Sequence, residues 1–145
     1  MKKLLTFVVF AVGLVAARSA SAGSHPAYLH ALADLRDARA HLEKPTAAPK
    51  ATWDEKVAIT EIDAAIKEIK EASIDAGKNI DVHEPVDATL DWGGRLHHAQ
   101  ELLGAAYSDI HQHEDDKFSK GLRNRALKHL QVASEFINSA IDAKQ

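Results

Sequence analysis

The sequence predicts an all-α protein, an antiparallel up-down-up-down four-helix bundle preceded by a cleavable signal peptide. Three observations carry this. Four stretches repeat apolar residues at three- and four-residue steps, the period of an amphipathic helix. Between them lie short segments rich in Pro, Gly, Asn and Asp, which break helices. At the start, a lysine pair precedes an apolar run that ends in small residues.

The leader comes first. Lys2 and Lys3 form a positive end, Leu4 to Ala17 is almost unbrokenly apolar, and Ala20-Ser21-Ala22 matches the A-x-A cleavage pattern. The run is 14 residues long, short of the ~20 needed to span a bilayer. The expected division is therefore 1–22 as signal peptide and 23–145 as one bundle domain. No cysteine stands near the cut to carry a lipid, and no second apolar run follows, so no membrane span is expected in the mature form.

Helix one is expected from Pro26 to Glu43. Proline suits a first turn, where its missing N–H costs nothing. Tyr28, Leu32, Leu35 and Leu42 form its stripe, widened by Leu29 and Ala38. Two prolines in KPTAAPK, residues 44–50, end it. Helix two opens on Thr52 and Glu55, which have capping-box spacing. Ala58, Ile59, Ile62, Ala65, Ile66, Ile69 and Ala72 share one face, and Gly77 is a natural C-terminal stop. KNIDVHEPVDAT, residues 78–89, is a loop.

Helix three is expected from Trp92 to Glu114. Its seam of Trp92, Leu96, Ala99, Leu103, Ala106 and Ile110 alternates four and three apart, and Gly93 and Gly94 weaken its first turn. Helix four, Lys120 to Ala143, carries Leu122, Ala126, Leu130, Ala133, Ile137 and Ile141. The many alanines imply close helix approach. A two-helix hairpin that dimerises is the rival arrangement, but four stripes can satisfy one another within one chain.

Four segments resemble a family of uncharacterised small exported bacterial helical-bundle proteins. They are HPAYLHALADLRDARAHL (25–42), AITEIDAAIKEIKEASIDAGKNI (58–80), GGRLHHAQELL (93–103) and GLRNRALKHL (121–130). The opening has the form HPxYLHALxDLRxARxxL. The resemblance covers nearly all of the mature chain and implies the bundle fold and export, with no activity. Members tend to carry two prolines after the loop histidine, whereas here His83 is followed by Glu84-Pro85.

Composition removes several function classes. The formal charge of −3 falls to −6 once the leader's Lys2, Lys3 and Arg18 are gone. Nucleic-acid binding rests on cationic neutralisation of phosphates, so none is expected. There is no cysteine, which removes disulfides, thiolate metal sites, covalent haem attachment and thiol catalysis. The only methionine is Met1, so Met–His haem ligation is excluded as well. Bis-His ligation needs two inward histidines at one level, and only His129 comes near that position, so haem is not expected. No glutamate has a histidine three residues on, as a di-iron bundle requires. No phosphate loop or nucleophile pattern is present.

Nine histidines keep metals in view. His97 and His98 are adjacent, so on a helix they point ~100° apart and read as solvated. Asp109, His113 and Asp116 fall at i, i+4 and i+7, one helical face. Asp81, His83, Glu84 and Asp87 lie in the second loop, which in an up-down bundle shares an end with His25 and suggests a Zn or Cu site. Cleavage after Ala22 would leave Gly23-Ser24-His25 as the N-terminus, with Ser24 as N-cap of helix one. The amine, two amides and the imidazole would then offer a square plane of four nitrogens to Cu(II) or Ni(II). Structural polar residues are expected on the seams. Arg39, Asp63 and His129 fall at similar heights, and an Arg39–Asp63 pair there would be buried and would fix register.

The leading expectation is a non-enzymatic binding or interaction module, monomeric or homodimeric. The alternative is a divalent metal-binding protein.

Overall fold

The computed structural model describes residues 26–43, 52–81 and 92–143. They form four helices: α1 (Tyr28–Glu43), α2 (Trp53–Asp75), α3 (Trp92–Ile110) and α4 (Lys117–Asp142). Gly23, Ser24, His25, His83, Glu84 and Asp87 lie outside the described residues. No described helix is long and apolar enough to cross a membrane.

The four stripes meet in one core. Leu32, Leu35, Ile62, Ile69, Leu103, Leu122, Leu130 and Ile137 are essentially inaccessible to water. Each such side chain stabilises the fold by roughly 1.5–3 kcal/mol relative to exposure. Ala38, Ala58, Ala65, Ala99, Ala106, Ala126 and Ala133 are buried between them. Leu29, expected on the stripe of helix one, instead stands 37 % exposed at its edge.

The caps explain the helix ends. Thr52 Oγ1 accepts from Glu55 N–H while the Glu55 carboxylate accepts from Thr52 N–H, completing the capping box of α2. Gly77, at φ 70°, turns the chain out of α2. Lys78 N–H then reaches Ser73 C=O (2.8 Å) and Gly77 N–H reaches Ile74 C=O (2.9 Å), the paired bonds of a Schellman motif. α3 stops at Ile110, four residues short of the expected Glu114, because Asp116 starts the next helix. As N-cap of α4, its carboxylate accepts from Ser119 N–H at 2.8 Å. α4 accordingly begins at Lys117, three residues earlier than Lys120.

The connectivity departs from the expected up-down-up-down order. α1 packs on α2 and α3, and α4 packs on α2 and α3. The backbones of the pairs α1/α4 and α2/α3 make no close approach, so these pairs occupy the diagonals. Cross-helix bonds fix the directions. Ala27, before α1, donates to Asp109 C=O at the end of α3, and Arg95 near the start of α3 donates to His41 C=O at the end of α1. Asp54 meets Ser139 and Asp75 meets Ser119, so α2 and α4 are antiparallel. Gln100 with Ser134, and Gln112 with Arg123, make α3 and α4 antiparallel. α1 and α4 therefore run one way and α2 and α3 the other, an up-down-down-up bundle.

Chain length permits this. α2 ends at one end of the bundle and α3 begins at the other, with 16 residues between them. The 19 residues of α3 span about 28 Å, well within the roughly 50 Å that 16 extended residues can reach. The described start of this connection already climbs, since Ile80 C=O accepts from Arg36 Nη2 at 3.3 Å, two turns into α1. Ile80, the residue before Asp81, is thus tied to the flank of α1.

Candidate binding groove between α3 and α4

Of the four neighbouring pairs, α3 and α4 share the smallest contact. A groove of about 440 Å³ opens between them, within the size range of small-molecule sites. α3 contributes Gln100, Leu103, Gly104 and Tyr107, which fall at i, i+3, i+4 and i+7 and hence on one face. α4 contributes Leu130, Gln131, Ser134 and Glu135. Leu103 and Leu130 are buried and form the floor. Gly104 keeps the middle open, since a Cβ there would meet nothing within 4 Å. Tyr107 forms one wall and its ring stacks on His111, with centroids 5.5 Å apart and planes 19° from parallel.

The polar chemistry centres on Gln100. Its Nε2 donates to Ser134 Oγ at 2.5 Å, joining the two helices across the groove. Its Oε1 is buried and has no hydrogen-bond partner. With the amide turned over, Ser134 would donate to Oε1 and the amide hydrogens would take the unpartnered place. In both arrangements one buried polar atom of Gln100 is left over, at a cost of roughly 1–3 kcal/mol. Glu135 and Gln131 are exposed on the rim. The lining contains one acidic residue and no Lys, Arg or His.

The structure brings some of the expected site residues together and separates others. Arg39 and Asp63 do pair, Nε to Oδ1 at 2.5 Å and Nη2 to Oδ2 at 3.2 Å. The expectation of burial is corrected, because their side chains are 32 % and 48 % exposed. Arg39 also reaches Glu43 one turn on. The Asp63 hydrogen bond, followed by smaller contributions from both carboxylates, holds the guanidinium pKa above its ordinary value. An ion pair this exposed contributes only about 0–1 kcal/mol. His129 does not join it, and instead its Nδ1 lies 2.6 Å from Glu61 Oε2 on another face of α2.

Asp109, His113 and Asp116 do not form a metal face, since α3 ends at Ile110 and the latter two lie past it. His113 Nε2 pairs with Asp115 at 2.6 Å, and Asp116 is committed to capping α4. Among the described residues no group of three or more His, Asp and Glu is placed to hold a metal ion. Asp81 is exposed, its N–H bonded to Asn79 Oδ1. His98 contacts Glu101 at 3.3 Å and meets the buried His41 ring edge-on at 4.8 Å. Its side chain is still 41 % exposed and His97 is exposed, so both flank the seam in contact with solvent.

The sequence pattern missed a polar latch at the end where α1 starts. The Tyr28 hydroxyl donates to Glu114 Oε2, and Asp116 N–H donates to Oε1 at 2.9 Å. Tyr28 and Glu114 are both buried. Burial, and then the Glu114 hydrogen bond, push the tyrosine pKa far above its ordinary value. Nearby, Ser119 Oγ donates to Asp75 at 2.7 Å and ties α4 to the end of α2. The signal for Tyr28 was present in principle, because a seam tyrosine must find a partner for its hydroxyl. Nothing in the pattern pointed to Glu114 as that partner.

No family model matches the chain, and neither a curated protein nor a solved structure matches it. The groove's own chemistry therefore carries the functional argument.

Proposed function

We propose that this is an exported four-helix-bundle protein that acts as a non-enzymatic binding module, with the α3/α4 groove as its site. The supporting observation is the open groove floored by Leu103 and Leu130, walled by Tyr107 and crossed by the polar Gln100–Ser134 pair. A small ligand there would bury its apolar part on Leu103 and Leu130 and keep its polar part at the rim. The lysine pair, the apolar run and the A-x-A sequence ahead of Gly23 support export. Intact mass of the protein recovered from the exported fraction tests the address. A chain beginning at Gly23 is expected, and a full-length chain retained inside the cell would contradict export.

A divalent-metal role at Gly23-Ser24-His25 is the second reading. It is favoured by one placement. α1 starts at Tyr28, so these residues precede the first helical turn, and using their amides for metal need not melt α1. Because those amides must lose protons, Cu(II) binding strengthens as pH rises. Copper titration of the mature protein and of His25→Ala tests it, and equal binding by the two would eliminate it.

A further inference from the structure

We infer that the α3/α4 groove selects a small amine, a compact apolar body carrying a positively charged hydrogen-bond donor, and discriminates against anions. The inference rests on the reading of the groove as a binding site and adds the chemistry of what fills it. The apolar body is called for by Leu103 and Leu130 on the floor, the Tyr107 ring as a wall and the empty space at Gly104. A volume of about 440 Å³ suits a single ring or short branched chain with a polar head and excludes a folded partner.

The charge is called for by the rim. Glu135 is the only charged group in the lining, and no cation there offsets it. A carboxylate or phosphate would meet this like charge with no cation in the lining to offset it. An ammonium meets an acceptor at the Glu135 carboxylate and, beside Gln100, the Ser134 hydroxyl oxygen. A neutral apolar molecule would gain the floor and leave the Glu135 carboxylate to water.

Three probes of one shape separate the possibilities: 2-phenylethylamine, ethylbenzene and phenylacetate. Each is titrated into isotope-labelled protein at pH 7, following the backbone amides of Gly104 and Gln131 and the side-chain amide of Gln100. The amine is expected to move all three signals saturably and to bind at least threefold more tightly than ethylbenzene, with phenylacetate weakest. Glu135→Gln, an exposed and conservative change, is expected to remove the preference for the amine and leave ethylbenzene binding unchanged. Equal or tighter binding of ethylbenzene or phenylacetate in the groove would overturn the amine assignment while keeping the groove as a site. If none of the three probes moves the groove signals, the groove reading itself falls, and the amine assignment falls with it.

Discussion

Replacing Tyr28 with phenylalanine removes one oxygen and leaves the ring in place. The ring's packing against the core should persist, because Tyr28 is buried at 1 % exposure and phenylalanine fills nearly the same volume. What is lost is the hydrogen bond to the buried Glu114 carboxyl, which retains the Asp116 N–H. A hydrogen bond to a charged acceptor contributes about 1.5–3 kcal/mol, so urea unfolding at pH 7 should show a loss of about 2 kcal/mol with an unchanged denaturant slope. Combining it with Glu114→Gln in a double-mutant cycle should give a coupling of at least ~1 kcal/mol. The pH dependence supplies a second arm. The folded state holds the Tyr28 proton above its ordinary pKa of 10.0, so this contribution is fully present below pH 10. It is lost as pH rises beyond that value, where the unfolded chain releases the proton and the folded chain does not. Tyr28→Phe should flatten the alkaline fall in stability. A loss below ~0.5 kcal/mol at pH 7, with no change in the alkaline limb, would refute the latch.

Other consequences are read by the same unfolding assay. Thr52→Ala removes the N-cap half of the α2 capping box and should cost about 1 kcal/mol. Gly77→Ala places a side chain at φ 70° and should cost about 1–2 kcal/mol. Burial and the neighbouring Asp109 and Asp37 raise the Asp34 pKa, so charging it destabilises the fold as pH rises through the ordinary carboxylate range of about 4. Asp34→Asn should therefore stabilise at pH 7 by relieving the partly buried charge and its repulsion with Asp109 and Asp37, about 0.2–0.5 kcal/mol coming from the i, i+3 pair alone, with no gain at pH 2.5. Arg39→Ala should cost no more than about 1 kcal/mol, in keeping with a solvated ion pair; a loss of 3 kcal/mol would restore the buried-pair expectation.

Four helices and most of their core were legible because each stripe repeats with the helix period. Ile62, Ile69, Leu103 and Ile137 are buried where that period puts them. The α2 ends were legible too, since Thr52, Glu55 and Gly77 are chemical signals with fixed geometry. Neighbour order was not legible. A stripe says that a face must be covered and is silent on which helix covers it, and the 16 residues before Trp92 are long enough for either arrangement. The end of α3 was overrun because DIHQHEDD holds no proline or glycine, and only Asp116, acting as a cap for Ser119, breaks the run. The groove was invisible for a related reason. Gln100 and Ser134 lie beside their seams, and only a folded α3/α4 pair brings them within bonding distance. Gly104, a helix-weakening residue inside a long helix, was the one sign of it in the sequence.

The groove is tested most directly by filling it. Gly104→Phe adds a side chain where a Cβ meets nothing within 4 Å, and it replaces the poorest ordinary helix former, so the protein should stay folded with its thermal midpoint held or raised. Titrated with 2-phenylethylamine, the wild-type protein should show saturable shifts at the Gln131 and Gln100 amides, and the folded Gly104→Phe variant should show none. Equal shifts in both proteins, or wild-type shifts confined to residues away from α3 and α4, would contradict the account.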